Sequence, residues 1–301
     1  MTKIAIIGIG HVGATVAHTI IERKLATELY LFDQQLDLVE AEQYDLWASQ
    51  IGHHATIPIF KGTKADLDQM DILIFAVGNI AILEGQGTRF DELTITKQAA
   101  QEWGLRIKQS AFNGVLITIT NPCDVITRYL QELTELPKNQ VFGTGTSLDT
   151  ARFQHAVGEA LAIEPDSVAG VVLGEHGDTQ FIPWSLIQIA QQPIQQFLST
   201  EELQIIEQRA QAIGQLTFTG KGYTSFGIAN QAALFIEAIC SDSHRIFPVS
   251  AYSEELSLYI GQPASIGRQG VHQIFPPKLT PAEQTKWQTS AAWIQEMYEH
   301  I

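Results

Sequence analysis

Lys3-Ile-Ala-Ile-Ile-Gly-Ile-Gly-His-Val-Gly13 is an apolar, β-branched run that breaks into glycines spaced Gly8-x-Gly10-x-x-Gly13. Its first half has the length and residue types of a buried parallel strand. The residues that follow, 14–21, carry a helix pattern, and a second strand, Glu28-Leu-Tyr-Leu-Phe-Asp33, ends in an acid about 20 residues past the last glycine. Three such glycines alone are a weak signal. With a strand before them, a helix after them and an acid downstream they form a dinucleotide-binding fingerprint. Gly8 permits the tight turn, Gly10 lets the backbone approach a pyrophosphate, and Gly13 lets helix and strand pack closely; His11 and Val12 lie between them. The helix N-terminus favours the anion. The Asp33 carboxylate would accept hydrogen bonds from ribose hydroxyls and repel a 2′-phosphate, which selects NAD over NADP. A strand-end aspartate that merely caps the next helix is the bland alternative.

The alternation continues outward. Residues 35–50 read as a helix, 57–60 as a short strand, and Asp71-Ile-Leu-Ile-Phe-Ala-Val-Gly78 and Gly114-Val-Leu-Ile-Thr-Ile-Thr120 as buried strands. Strands alternating with helices predict an α/β fold with a doubly wound parallel sheet of the Rossmann type, whose ligands sit at the carboxyl ends of the strands. Gly78, the Asn121-Pro122 pair and the Gly143–Thr146 turn fall at such ends. Past residue 143 the texture changes. Shorter strands are expected at 168–173, 181–184, 185–190, 245–250 and 256–260, with helices at 200–218, 226–240 and 281–300. The last begins with a Thr280-Pro-Ala-Glu283 capping box. The chain is therefore read as a cofactor domain, 1–143, followed by an α+β substrate domain with antiparallel strands, 144–301.

Composition narrows the function. The 301 residues are 45% hydrophobic and 17% charged, which suits a soluble globular protein. A formal net charge of −15 without a basic run argues against nucleic acid and against anionic membrane surfaces. Two cysteines form no disulfide framework. No run of about 18 apolar residues and no leader-like N-terminus is seen. A cytoplasmic location is expected.

Nine histidines are present, and any one of them is ordinarily a surface or core-satisfied imidazole. His176 stands apart because of its company. It lies between two glycines in Gly174-Glu-His-Gly-Asp178, just past an apolar run. Upstream, Asp149 and Arg152 open a helix at i, i+3 spacing, which most often makes a simple surface pair worth about 0.2–0.5 kcal/mol. If His176 comes near, the roles divide: Asp149 orients the imidazole, and Arg152 grips an anion with its planar fork. Residues 79–88, with glycines at 85 and 87, read as a closing lid followed by Arg89, a cation poorly placed at a helix start unless it has a partner.

Taken together these motifs resemble the L-lactate/malate dehydrogenase family over nearly the whole chain, and within it the L-2-hydroxyisocaproate dehydrogenases of lactic acid bacteria in particular. The resemblance is carried by Gly8–Gly13, Asp33, Gly87-Thr-Arg-Phe90, Thr120-Asn-Pro-Cys-Asp-Val-Ile126, Gly143–Arg152, Leu173–Asp178 and Gly220-Lys-Gly-Tyr-Thr-Ser225. It implies an NAD-dependent enzyme interconverting a small 2-oxo acid and an L-2-hydroxy acid, with no metal. His176 would exchange a proton with the substrate oxygen, Asp149 would hold its tautomer, and Arg152 would bind the substrate carboxylate. Arg89 would polarise the carbonyl, Asn121 would fix substrate and nicotinamide, and Thr224 would form part of the pocket wall. The resemblance also implies a homo-oligomer, a tetramer or alternatively a dimer. Consistent with that, the helix at 36–47 is apolar around more of its circumference than a lone domain needs.

Two departures from the family matter. The lid position that selects substrate is an arginine in malate dehydrogenases and a glutamine in lactate dehydrogenases. The lid is longer here, so counting forward from Gly78 lands on Ala81 and counting back from Arg89 lands on Leu83. Every candidate from Ile80 to Leu83 is apolar, and a second substrate carboxylate would be buried unpaired. A branched or long-chain 2-oxo acid is therefore expected over pyruvate, and either over oxaloacetate. Where sugar-bisphosphate-activated relatives carry an arginine and a histidine, this chain has Gln154 and Ala169, so that activator is not expected. A different class, an NAD-dependent glycosidase, would need a cysteine–histidine metal site near the nicotinamide, for which Cys123 is the sole starting point and has no paired histidine motif.

Overall fold

A computed structural model describes residues 2–78 and 89–301, without the side chains of Arg89, Phe90 and Asp91. The lid positions Ala81 and Leu83 lie outside these residues. Six parallel strands form the centre: β1 (Lys3–Ile7), β2 (Glu28–Phe32), β3 (Ile59–Lys61), β4 (Ile72–Phe75), β5 (Val115–Thr118) and β6 (Val141–Gly143), ordered β3-β2-β1-β4-β5-β6. Their side chains alternate between two apolar layers. Ile4 and Ile6 pack with α1 (His11–Arg23) and α7 (Phe226–Ser241), while Ala5 and Ile7 face the layer of α3 (Arg89–Lys108), α4 (Cys123–Thr134) and α8 (Pro281–Tyr298). Both faces of the central strands are covered, so residues 4–7 of β1, β4 and the first three residues of β5 are continuous apolar runs rather than alternating ones, whereas the edge strand β3 is exposed at Phe60 and Lys61. The order reverses between β1 and β4, and a crevice at that reversal is where such sheets bind ligands.

The antiparallel strands do not form a detached sheet. β10 (Arg245–Ser253) pairs with β6 at Ser250↔Gly143, and β11 (Leu258–Gly267) and β12 (Gly270–Ile274) extend the same nine-stranded sheet. A smaller core lies between α5 (Ser147–Leu161), α6 (Thr200–Lys221) and a three-stranded sheet of β7 (Val168–Ala169), β8 (Gln188–Ile189) and β9 (Gln192–Pro193).

Local chemistry explains most boundaries. Ser199 with Glu202 and Thr280 with Glu283 make reciprocal capping boxes that start α6 and α8. Three expectations are corrected. The strand at 168–173 stops at Ala169, because Gly170 adopts φ 132° and turns the chain; beyond it Leu173 pairs only with Phe181 and Gly174 only with Gly261. Residues 184–186 form a 3₁₀ turn behind Pro183, not a strand. β11 begins at Leu258 rather than at 256 and is twice as long as expected, because it has β10 and β12 as partners on both sides. The helix at 36–47 is α2 (Leu36–Ser49), and Leu36, Tyr44 and Trp47 on it are exposed. Among the described residues no helix is long and apolar enough to cross a membrane.

Candidate active site

The three glycines of the loop after β1 differ in their surroundings. Gly8 has φ 91°, and a Cβ there would lie 2.8 Å from the Ala76 carbonyl beyond β4. At Gly13 a Cβ would meet the Gly8 oxygen at 1.9 Å, so α1 can approach β1 only without a side chain. Gly10 differs: nothing lies within 4 Å of its missing Cβ. It is the N-cap of α1 and makes no side-chain cap, and the first turn of the helix carries no acid. That leaves an open, electropositive helix end of the kind that receives a pyrophosphate. Asp33 is held rather than loose, since the Ile9 and Gln35 N–H groups each donate to it at 3.0 Å. It borders a cavity of about 170 Å³ with Phe32, Gly62, Trp103 and Arg106. An open anion end and an acid beside a cavity fit a dinucleotide lying along the carboxyl edge of the sheet.

A cleft of about 770 Å³ continues at the other end of that edge. Val12, Asn121, Asp149, Arg152, His176 and Thr224 all line it. Gly78 closes the run after β4 and does not border it. Asn121 precedes a cis peptide to Pro122 at the end of β5. His11 stacks flat on Tyr223 (centroids 4.1 Å apart, planes at 5°), which ties the cofactor loop to the turn that carries Thr224. Arg89 heads α3, and its guanidinium is not among the described atoms.

The imidazole of His176 is set by contacts from several elements. Its Nδ1 lies 2.6 Å from Asp149 Oδ2. A carboxylate only accepts, so Nδ1 carries the hydrogen. Asp149 is 6% exposed and also accepts from Arg152 Nη1 at 3.3 Å. The Gln180 amide lies 3.1 and 3.3 Å from its two oxygens and, with its nitrogen turned toward them, donates to both. The i, i+3 pair foreseen on α5 thus exists, but as part of a buried cluster rather than a solvated surface pair. Arg152 fits because α6 presents Gly214, where a Cβ would stand 3.0 Å from its Nη1.

The loop bearing His176 is braced from below. Gly174 and Gly261 exchange backbone hydrogen bonds at 3.0 Å, and Glu175 N–H donates to Ser290 Oγ of α8 at 2.7 Å. The Glu175 carboxylate, 2% exposed, accepts from Thr179 N–H and Oγ1 and folds under Gly177, where a Cβ would strike it at 1.9 Å. His176 N–H donates to Asp124 at 2.8 Å.

Sequence reasoning left several of these residues without a role. Asp124 lies within Thr120–Ile126, and nothing in that run of sequence signals its burial. Gln180 has no periodic signal. Gln208, Gln211 and Gln215 line the cleft from α6, and their helical spacing was the one clue available. Glu92, 9% exposed on α3, also borders the cleft. Cys123 points inward: its thiol lies 3.8 Å from the Thr118 carbonyl and 3.7 Å from Thr144 Oγ1, and burial pushes its pKa up to about 12. A thiol so placed is engaged in the core, not presented to a nicotinamide.

Comparison with known proteins places both halves of the chain in one family. Residues 2–143 match the lactate/malate dehydrogenase NAD binding domain, and residues 146–301 match the lactate/malate dehydrogenase alpha/beta C-terminal domain. The chain is 32% identical to L-lactate dehydrogenase 1 of Bifidobacterium longum, over 99% of this chain and 98% of that one. It is 34% identical to L-lactate dehydrogenase 3 of Bacillus anthracis, over 96% and 94%. Among solved structures, the minor L-lactate dehydrogenase from Enterococcus mundtii in its ligands-bound form superposes with a TM-score of 0.94 at 26% identity, covering 100% of this chain and 98% of that one. Lactate dehydrogenase from Eimeria maxima with NADH and oxamate gives 0.93 at 27% identity, covering 99% and 93%. The cofactor is NAD. By fold, fingerprint and matches along both halves, this chain belongs to the lactate/malate dehydrogenase family of NAD-dependent 2-hydroxy-acid dehydrogenases.

Proposed function

We propose that the protein reversibly reduces medium or branched-chain 2-oxo acids to L-2-hydroxy acids, with residues 1–143 holding the cofactor and 144–301 completing the substrate site. The observation that carries the chemistry is the cluster of half-buried His176 and Arg152 on buried Asp149, which lines the cleft. When bound, NADH supplies the hydride. Gly8, Gly10, His11, Val12 and Gly13 would hold its pyrophosphate, Asp33 its adenosine ribose, and Gly78 and Asn121 the nicotinamide end. His176, protonated at both nitrogens, gives the Nε2 proton to the keto oxygen and takes it back in the reverse direction. Asp149 stabilises the imidazolium and keeps its orientation. Arg152 pairs with the substrate carboxylate through two parallel hydrogen bonds that lysine cannot reproduce. Arg89 supplies a positive charge to the polarised carbonyl. Thr224 and the lid residues Ala81 and Leu83 would meet the substrate's side chain.

Reaction class is tested by following NADH absorbance with a panel of 2-oxo acids. Turnover of none of them, with NADH still bound, would refute the dehydrogenase reading. A second reading, ordinary L-lactate dehydrogenase, is favoured by the relatives' names and is kept for that reason. The uncharged lid run is what supports the branched acid. Arginine introduced at Ala81 or at Leu83 is expected to raise oxaloacetate turnover and to depress that of the branched acid, since the cation would pair with a second carboxylate and be stranded against methyl groups. If neither variant changes the ratio of the two rates, specificity lies elsewhere in the cleft.

The exposed Leu36, Tyr44 and Trp47 on α2 support a homo-oligomer, a tetramer in this reading. A sedimentation mass near one chain at micromolar concentration would overturn it. The composition supports a cytoplasmic protein, and Gln154 and Ala169 support the absence of a sugar-bisphosphate activator.

A further inference from the structure

We propose that Asp124 is a positioning residue for His176, a second carboxylate that anchors the histidine's backbone and raises the proton affinity of its ring from beneath. The inference rests on His176 being the proton donor. Asp124 lies in the first turn of α4, directly after Cys123, and is 1% exposed. Its two oxygens are used differently. Oδ2 accepts from the backbone N–H of His176 at 2.8 Å, and Oδ1 accepts from Ser250 Oγ at 2.6 Å. Ser250 is the residue through which β10 joins β6, so the carboxylate sits where α4, the sheet seam and the His176 loop meet. The other braces of that loop come from α5, β11 and α8.

A neutral acceptor would suffice to hold one N–H, so the carboxylate at this point needs a reason. Burial pushes Asp124 up to about 6; the Ser250 hydroxyl and the His176 N–H oppose this, Glu175 adds to the upward push and His176 to the downward one. The titratable groups acting on it are thus Glu175 and His176 of the loop and Cys123 of its own helix. A carboxyl whose folded pKa lies above its unfolded value costs stability above that pKa, and the cost is relieved as pH falls through about 6 toward the unfolded value. The fold therefore carries an anion that weakens it at neutral pH. Beside an imidazole that must be protonated to act, that anion has a use: the charges of Asp124 and the His176 ring favour one another.

Asp124→Asn tests this, because asparagine can still accept from His176 N–H and donate to Ser250 Oγ. At saturating NADH the alkaline limb of the kcat/KM profile for 2-oxo acid reduction is expected to move down by about one pH unit, and the rate above that limb to fall about tenfold. NADH affinity should be unchanged, and Tm at pH 8 equal to or above wild type. Ser250→Ala keeps the charge but removes one donor that stabilises it. It should move the limb in the same direction by less, and it serves if the first variant does not fold. An unmoved limb in either folded variant overturns the proposal, as does a loss of activity that parallels a fall in Tm and NADH affinity. His176→Asn is run alongside. If that variant stays active, the proton-donor reading itself has failed; if it is inactive while the limb stays put in the Asp124 and Ser250 variants, only the positioning role has.

Discussion

Replacing His176 by asparagine is expected to lower kcat by about 10²–10⁴-fold, the usual worth of general acid–base catalysis, while NADH binds as before. The two effects separate because the parts are separate in space. The open N-terminus of α1 and Asp33 lie at the ends of β1 and β2, whereas His176 is held by α4, α5, α8 and β11. Asparagine keeps the backbone N–H that donates to Asp124, and it offers Asp149 an amide hydrogen in place of Nδ1–H. The loop therefore has no reason to move, yet no group of suitable proton affinity remains. Pre-steady-state mixing with NADH, alongside a fluorescence titration of the cofactor, reads both quantities. A variant that keeps more than about one hundredth of kcat would show that the substrate proton comes from elsewhere.

Removing the guanidinium of Arg152 should be as damaging in another way. Two charge-assisted hydrogen bonds at about 1.5–3 kcal/mol each amount to a loss of about 10²–10⁴-fold in kcat/KM for Arg152→Leu. Arg152→Lys, which restores the charge without the fork, should recover only part of it. The loss belongs mainly in KM, because the carboxylate is held equally before and during the reaction. A contribution to kcat is also expected. Arg152 donates to Asp149 at 3.3 Å, and without it that buried carboxylate, which also faces His176 and Gln180, loses a charged donor. If the lysine variant matched wild type, bidentate recognition of a carboxylate would be the wrong account of this side chain.

The cofactor half was legible in the sequence because its signals are local. Gly8, Gly10 and Gly13 are bound to their roles by the turn they form, and a one-dimensional spacing encodes that turn. The strands β1, β4 and β5 were equally plain, since burial on both faces leaves no polar interruption in 4–7, 72–75 or 115–117. The second half was less legible for a physical reason. Its elements are defined by partners far away in sequence: β11 by β10 and β12, the 168–173 run by the turn at Gly170, and the His176 loop by Gly261 and Ser290. His176, Asp149 and Arg152 could be named because spacing and resemblance pointed to them. Asp124 and Gln180 could not be given a role, since nothing short of the folded chain shows a carboxylate beneath the histidine or an amide against Asp149.

In the proposed function, the cluster acts on a 2-oxo acid with an uncharged, bulky side chain. The most direct measurement is kcat/KM with NADH for 2-oxo-4-methylpentanoate, pyruvate and oxaloacetate, in one buffer at saturating cofactor. The branched acid is expected to rank first, ahead of pyruvate by the worth of its added methyl and methylene groups, about 1–3 kcal/mol each. Oxaloacetate should rank far below both, with its second carboxylate unpaired. A preference for pyruvate or for oxaloacetate over the branched acid would contradict that proposal.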